Sequence, residues 1–271
     1  MITSSIVLFN NSIPECLSIL DCLLASPMDK IYLVDHSGND RLSVLKDYSE
    51  KIEYIPHRNL GYGAGHNVAI RKAFEINPDG YHIILNSDIL FSPDAIRVLS
   101  EFMDSRPNVG LCMPDIFSPR GNRQYLCKYL PTPFDLFGKR FLPSKLKTSR
   151  LERLQMKKAD YSKVLSVPWI PGCFLFTRVK ALKDINGFDE RFFMYGEDID
   201  FSRRIHEKYA TLYCPDAKVT HAHAAASYHS WRMLMVHIVN VARYFNKWGW
   251  FHDPERIKIN KKAAEENNLK W

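Results

Sequence analysis

In the first 110 residues, short apolar runs alternate with segments of helical spacing, and that order leaves few folds open. Ser5 to Phe9, Lys30 to Val34, Ile52 to Ile55 and Tyr81 to Leu85 read as strands buried on both faces. Between them, Pro14 to Ala25 carries Leu17, Leu20, Leu23 and Leu24 at helical intervals, and Asp40 to Tyr48, Val68 to Ile76 and Pro93 to Met103 also read as helices. Strands alternating with helices predict an α/β fold with a mostly parallel, doubly wound sheet. In such a sheet, ligands bind beyond the carboxyl ends of the strands. Polar clusters follow three successive strands here, at Asp35, Asn59 and Asp88, which places all three on one sheet edge.

Four segments carry residue types suited to chemistry. The run Tyr81-His82-Ile83-Ile84-Leu85-Asn86-Ser87-Asp88 ends in a single carboxylate. A carboxylate at a strand tip can hold a divalent cation, and the cation a diphosphate; an Asx turn or helix cap before Pro93 is the simpler use. Arg58 to Asn67 contains Gly61, Gly63 and Gly65 after the third strand. Its backbone amides could approach a phosphate or sugar, or it could be a bare tight turn. The Gly-x-Gly-x-Gly spacing and its place after the third strand argue against a dinucleotide dehydrogenase. Glu197, Asp198 and Asp200 open a predicted helix over Asp198 to Lys208, where the helix dipole favours acids. Asp200 is spaced to pair with Arg203 or Arg204, which leaves Glu197 and Asp198 for simple capping or for general-base work. Finally, His221 and His223 alternate after a short strand-like segment, so both could face one metal or simply face solvent.

The net charge of +7 and pI near 9.0 suggest anionic partners. Nucleic acid would account for the charge alone and for none of the motifs, so no nucleic-acid partner is expected. None of the six cysteines forms a Cys-x-x-Cys pair. A reducing, cytoplasmic setting with buried thiols is therefore expected. The N-terminal apolar run is too short for a signal peptide, and no stretch is long enough to span a bilayer. Two domain-level units are expected: residues 1–228, with a basic loop or helical insertion at about 120–163, and residues 229–271. Within the second, Tyr228 to Trp248 is an amphipathic helix that packs on the domain or lies on a membrane surface, and Lys261 to Trp271 is a polar, frayed tail.

Taken together, these motifs resemble the family 2 inverting glycosyltransferases of the GT-A fold, and most nearly a bacterial rhamnosyltransferase-like branch. The resemblance covers the chain to about residue 225. It runs in order through Asp35, the Asn59 to Asn67 glycine segment, Asn86-Ser87-Asp88, Pro171-Gly172-Cys173, Gly187-Phe188-Asp189-Glu190, Gly196-Glu197-Asp198 and His221. It implies a Rossmann-like, mostly parallel sheet flanked by helices, with a C-terminal helical extension. It implies that Asp35 accepts a hydrogen bond from the ring N–H of uracil, thymine or guanine. Asn59, Gly61, Asn67 and Asn86 would contact the nucleotide or donor sugar. Asp88 and His221, with His223 as second choice, would hold Mg or Mn. Asp198 would be the catalytic base, with Glu197 as the alternative, and Trp169 and Gly172 would line the acceptor pocket. The implied partners are a nucleoside diphosphate sugar, such as dTDP-rhamnose or a UDP-sugar, and a glycan or lipid-linked acceptor in surface polysaccharide synthesis. Peripheral contact with the inner face of the cell membrane goes with that acceptor. Two rivals are an inactive nucleotide-sugar or glycan-binding protein and a sugar nucleotidyltransferase. Asp88 and Asp198 argue against the first, and Asn10-Asn11-Ser12 after the first strand against the second.

Overall fold

The structure is a computed structural model and describes residues 1–137, 144–222 and 231–270. Strands β1 (Ile2–Leu8), β2 (Lys30–Asp35), β3 (Ile52–Pro56) and β4 (Tyr81–Leu85) form a parallel array in the order 3-2-1-4. Helices α1 (Ile13–Leu24) and α2 (Tyr62–Ile76) and a 3₁₀ turn at Ser43–Tyr48 make the crossovers. The 3₁₀ turn replaces the helix expected over Asp40 to Tyr48. Antiparallel pairs need no crossover, and beyond β4 the sheet becomes mixed. The short β5 (Ile89–Phe91) leads into α3 (Pro93–Asp104) and then β6 (Val109–Phe117). Within the basic insertion lie α4 (Pro133–Phe137) and α5 (Ser144–Leu154), so its described part is helical; residues 138–143 lie outside the described residues. Next come β7 (Leu165–Ser166), β8 (Phe174–Arg178), α6 (Val179–Asp184), α7 (Glu197–His206) and β9 (Ala210–His221). The sheet continues from β4 in the order β8-β6-β9-β5, with β7 also on β9. Strands β1 to β4, β6 and β9 point one way, while β5, β7 and β8 oppose them. The sheet is therefore mixed but mostly parallel.

The central strand β1 buries Thr3 and Ser5, and buried hydroxyls need partners. His82 supplies both: its Nδ1 lies 2.7 Å from Thr3 Oγ1 and its Nε2 2.9 Å from Ser5 Oγ. Ser5 also meets His66 Nδ1 at 2.7 Å, which ties α2 to β1. Burial holds His82 neutral, far below its ordinary value, at about 3.

The C-terminal region packs on the sheet domain. Helix α8 (Trp231–Trp248) buries Asn240, Val241, Tyr244 and Phe245. The first part of the predicted frayed tail, Lys261 to Glu266, is instead the end of a helix, α9 (Pro254–Glu266), with Ala263 and Ala264 fully buried, while Trp271 lies outside the described residues. The reason is specific anchoring. The Asn260 side chain bonds both the N–H and the C=O of Leu130, at 2.8 and 2.9 Å. Asn267 does the same to Ser166, at 2.9 and 2.8 Å. Arg203 on α7 meets the N-cap of α9, Asp253, in a buried two-pronged pair at 2.6 and 2.8 Å. Asp200 pairs with Arg204, not Arg203, at 2.7 Å, and also accepts from the Trp248 indole at 2.8 Å. The expected boundary at 228 and His223 fall in 223–230, outside the described residues.

Candidate functional site

The carboxyl ends of β1 to β4 and β9 share an edge with the start of β8, and Asp35, Asn86, Asp88 and His221 lie along it. Asp35 ends β2, opposite Leu8 of β1 and Pro56 of β3. It is buried, with Oδ1 accepting from the Ser37 amide (2.8 Å) and hydroxyl (2.5 Å) and Oδ2 from the Tyr54 hydroxyl (2.6 Å). The sequence reading did not single out Tyr54; its phenol is held protonated by burial and by Asp35.

The glycine segment is built differently from expectation. Gly61 caps α2 and Gly63 and Gly65 lie inside its first turns, so the helix begins six residues earlier than predicted at Val68. Gly61 has φ +107, and a Cβ there would sit 2.2 Å from the Phe193 carbonyl oxygen. The residue is thus required by a close approach of two backbones, sealed by the Tyr62 N–H donating to that carbonyl at 2.9 Å. Asn59 is exposed and accepts from the Gly61 N–H at 3.2 Å in an Asx turn. Asn67 is buried, and its amide holds the loop before α7: it donates to Phe188 O and Glu190 Oε1, both at 2.9 Å, and accepts from the Phe188 N–H at 2.8 Å. That loop crosses Asn67 at Gly187, whose φ is +66.

Past β4, the Asn86 N–H is tied to Cys173 O at 3.0 Å, which locks the strand tip to the start of β8. Asp88 then meets His221, with Oδ1 3.3 Å from Nε2. Register brings them together, because Ile89 of β5 pairs with His221 at the end of β9. Burial opposes a charge on His221, but hydrogen bonds to Asp88 and Cys173 outweigh it and lift the imidazole to about 10. Gln124 steadies the other side, its amide donating to His221 O at 2.9 Å and its Oε1 lying 3.3 Å from Nδ1. Cis ligands of an octahedral ion at about 2.1 Å stand about 3.0 Å apart. The Asp88–His221 separation therefore suits two ligands of one divalent ion. Among the described residues, no cluster of three His, Cys, Asp or Glu could hold a metal.

Helix α7 is capped by Gly196, and its first two residues are the paired acids Glu197 and Asp198. Trp169 donates its indole N–H to Asp198 Oδ2 at 3.1 Å. The Trp169 ring is in turn covered by the Lys128 ammonium, 4.1 Å from its centroid. Gly172 stands beside Asp198: a Cβ there would lie 3.7 Å from Asp198 Cβ. Glu197 is buried, and its Oε2 has no hydrogen-bond partner among the described residues. Burial and the neighbouring charge of Asp198 raise its carboxyl to about 8. The two adjacent acids thus differ in setting: Glu197 is in the interior, where its protonated form is favoured, while Asp198 is partly exposed and hydrogen-bonded.

At the centre is a residue the sequence did not flag. The Tyr62 hydroxyl lies 2.7 Å from Gly172 O and 3.2 Å from Asn86 Oδ1. Its ring packs edge-on against His66 and Phe188. Burial, then the charges of Cys173, Glu197, Asp198 and Asp88, keep the phenol protonated well above its ordinary range. Only its place between two glycines marked it in the sequence.

A family model described as "Glycosyltransferase like family 2" matches residues 6–242. Among curated proteins, the chain is 28% identical over 232 residues to the N-acetylglucosaminyl-diphospho-decaprenol L-rhamnosyltransferase of Mycobacterium tuberculosis, covering 78% of this chain and 72% of that one. It is 25% identical over 181 residues to rhamnosyltransferase WbbL of Escherichia coli, covering 65% and 66%. Among solved structures, GalNAc-T7 with UDP, GalNAc and Mn2+ superposes with a TM-score of 0.65 at 14% identity, over 99% of this chain and 55% of that one. The mannosyltransferase PcManGT of Pyrobaculum calidifontis, solved with GDP-Man and Mn2+, gives 0.57 at 15% identity, over 97% and 74%. At these identities the structural matches speak for the fold, which is the GT-A glycosyltransferase fold.

Proposed function

The chain belongs to glycosyltransferase family 2, and from that premise we propose that it moves a sugar from a nucleoside diphosphate donor to a hydroxyl of a lipid-linked glycan, with inversion at the anomeric carbon. The observation that carries this reading is that two unlike corners both act on the Tyr62 hydroxyl, through the charges of Asp88 and Asp198. One is Asp88 with His221; the other is Asp198, oriented by Trp169. The rhamnosyltransferase names of the relatives favour dTDP-rhamnose as donor, with a UDP-sugar as the alternative. A diphospho-decaprenol in one of those names favours a polyprenyl diphosphate-linked acceptor.

Each corner then has a task. Asp35 uses three of its roughly four lone-pair positions on Ser37 and Tyr54, leaving Oδ2 able to accept a ring N–H from uracil or thymine. Asp88 and His221 would hold a divalent ion, which supplies charge neutralisation to the departing diphosphate. A histidine ligand must be neutral, so the proton shared with Asp88 would leave on loading. Asp198 takes the proton of the acceptor hydroxyl as that oxygen attacks from the face opposite the nucleotide. One carboxylate suffices, because the leaving group needs no protonation, unlike in a glycosidase. Glu197 is buried, and burial and the charge of Asp198 both favour its protonated form, so the partly exposed Asp198 is the better placed base. Gly172 and Trp169 line the acceptor side.

No described helix is long and apolar enough to cross a membrane. Helix α8 nevertheless carries a second apolar face: Trp231 is 72% exposed and is aligned with Met235, Ile238 and Val239, all exposed. Beside it stands Arg232, also exposed. That face suits an anionic bilayer carrying the lipid-linked acceptor. Loss of binding to anionic vesicles by Trp231→Ser is the expected result; unchanged binding would contradict it.

The donor is tested by a thermal-shift panel of UDP-, dTDP- and GDP-sugars with and without Mn2+. A ligand that binds the folded state raises Tm. A shift with a UDP- or dTDP-sugar supports the reading, and no shift with any of them opposes it.

A further inference from the structure

The Tyr62 hydroxyl has one hydrogen and two oxygen neighbours, the Gly172 carbonyl at 2.7 Å and the Asn86 side-chain oxygen at 3.2 Å. One hydrogen cannot serve both well. A backbone carbonyl only accepts, so the shorter contact takes the hydrogen. The longer contact then requires Asn86 to donate, and a side-chain amide does so by turning over, since its oxygen and nitrogen are interchangeable in outline. In that orientation the Asn86 N–H₂ faces Tyr62, and its carbonyl oxygen is directed away from Tyr62.

We propose that Tyr62 is a positioning residue that sets the orientation of Asn86, so that the amide oxygen is presented to the donor and accepts from a sugar or ribose hydroxyl. This rests on the glycosyltransferase reading and adds a specificity element to it. A polar group that a bound donor shuts off from water rejects ligands that lack the matching hydroxyl, because it would be left unpaired. The position of Tyr62 fits the task. It is held at the first turn of α2 by its own N–H on Phe193 O and by ring contacts with His66 at 4.4 Å and Phe188 at 6.2 Å between centroids. Gly172 leaves room for the ring: a Cβ there would stand 3.3 Å from Tyr62 Cε1. The phenol is surrounded by acids, so it stays a donor at working pH. Through Gly172 O and Asn86 it links the loop beside Asp198 to the strand tip that carries Asp88.

The test is a double-mutant cycle on dTDP-rhamnose turnover with Mn2+, using Tyr62→Phe, Asn86→Ala and the pair. Tyr62→Phe keeps the ring and should leave Tm within a few degrees, as expected for one lost hydrogen bond of about 1 kcal/mol. Each single variant should lower kcat/KM about 10-fold or more, with a rise in donor KM, and the pair should be no worse than the poorer single. Multiplying effects, or a Tyr62→Phe loss accounted for by a lower folded fraction, would overturn the proposal. A second measurement does not depend on turnover. The Asn86 side-chain NH₂ protons, assigned by their loss in Asn86→Asp, should show NOEs to the Tyr62 ring; their absence would also overturn it. If the wild-type chain turns over no dTDP-rhamnose, the donor reading fails and the NOEs decide the proposal alone.

Discussion

Trp169 donates its indole N–H to the Asp198 carboxylate at 3.1 Å, from a ring clamped beneath Lys128. With the Ile199 N–H donating to the other oxygen at 2.9 Å, the contact fixes the orientation of the carboxylate. Trp169→Phe keeps most of the ring and removes the donor. Turnover should fall about 10-fold, in line with one lost orienting hydrogen bond of about 1.4 kcal/mol, with donor binding unchanged. Steady-state kinetics with varied donor checks this; an unchanged kcat would remove Trp169 from the orienting role.

Asp88, in the turn before β5, and His221, at the end of β9, stand 3.3 Å apart. If they hold the divalent ion, Asp88→Ala should abolish the Mn2+-dependent part of the thermal shift given by a nucleotide sugar. His221→Ala should weaken Mn2+ affinity by at least the roughly 10–100-fold that loss of an outer partner costs. Titrating Mn2+ at fixed donor measures both. Equal shifts in EDTA and in Mn2+ would contradict the assignment.

Glu197 gives a pH signature. Its folded carboxyl is raised to about 8, above the ordinary 4.5, by burial and by Asp198. Between those values the folded state holds the proton and the unfolded state does not. Stability from this group is therefore complete below pH 4.5 and is lost as pH rises toward 8 and beyond. Glu197→Gln mimics the neutral acid, so its Tm should exceed that of the native chain by a margin equivalent to about 2 kcal/mol at pH 6 and about 5 kcal/mol at pH 9. Turnover at pH 7 should survive. A margin independent of pH would show that Glu197 is ionised in the fold.

Arg203 and Asp253 join α7 to α9 with both side chains about 2–3% exposed. Removing one member strands the other charge, so Asp253→Ala should cost about 3–5 kcal/mol. It should also loosen the α9 N-terminus, where Asp253 accepts from the Arg256 N–H. Chemical denaturation would measure this. A loss under about 1 kcal/mol would mean that α9 is only loosely attached.

The parallel half of the sheet was legible because strands buried on both faces are written as mostly apolar runs, as in Tyr81 to Leu85, where His82 is the one polar residue. Asp35, Asp88, Asp198 and His221 were legible as residue types at strand or helix ends. Other features depended on distant partners and left no local sign. Helix α9 reads as polar because it is anchored through Asn260, Asn267 and Arg203, not through an apolar stripe. The glycines resembled a phosphate loop, yet Gly61 answers to Phe193, more than 130 residues further on. Tyr62 became visible only when β8 brought Gly172, separated by 110 positions, against its hydroxyl.

The central claim is that Asp198, not Glu197, takes the acceptor proton. Its most direct test is Asp198→Asn, assayed for sugar transfer and for nucleotide-sugar binding in the same preparation. Removing a general base should cost about 10²–10⁴-fold in turnover, while the donor-induced thermal shift stays near that of the native chain. Transfer at the native rate by Asp198→Asn would contradict the account.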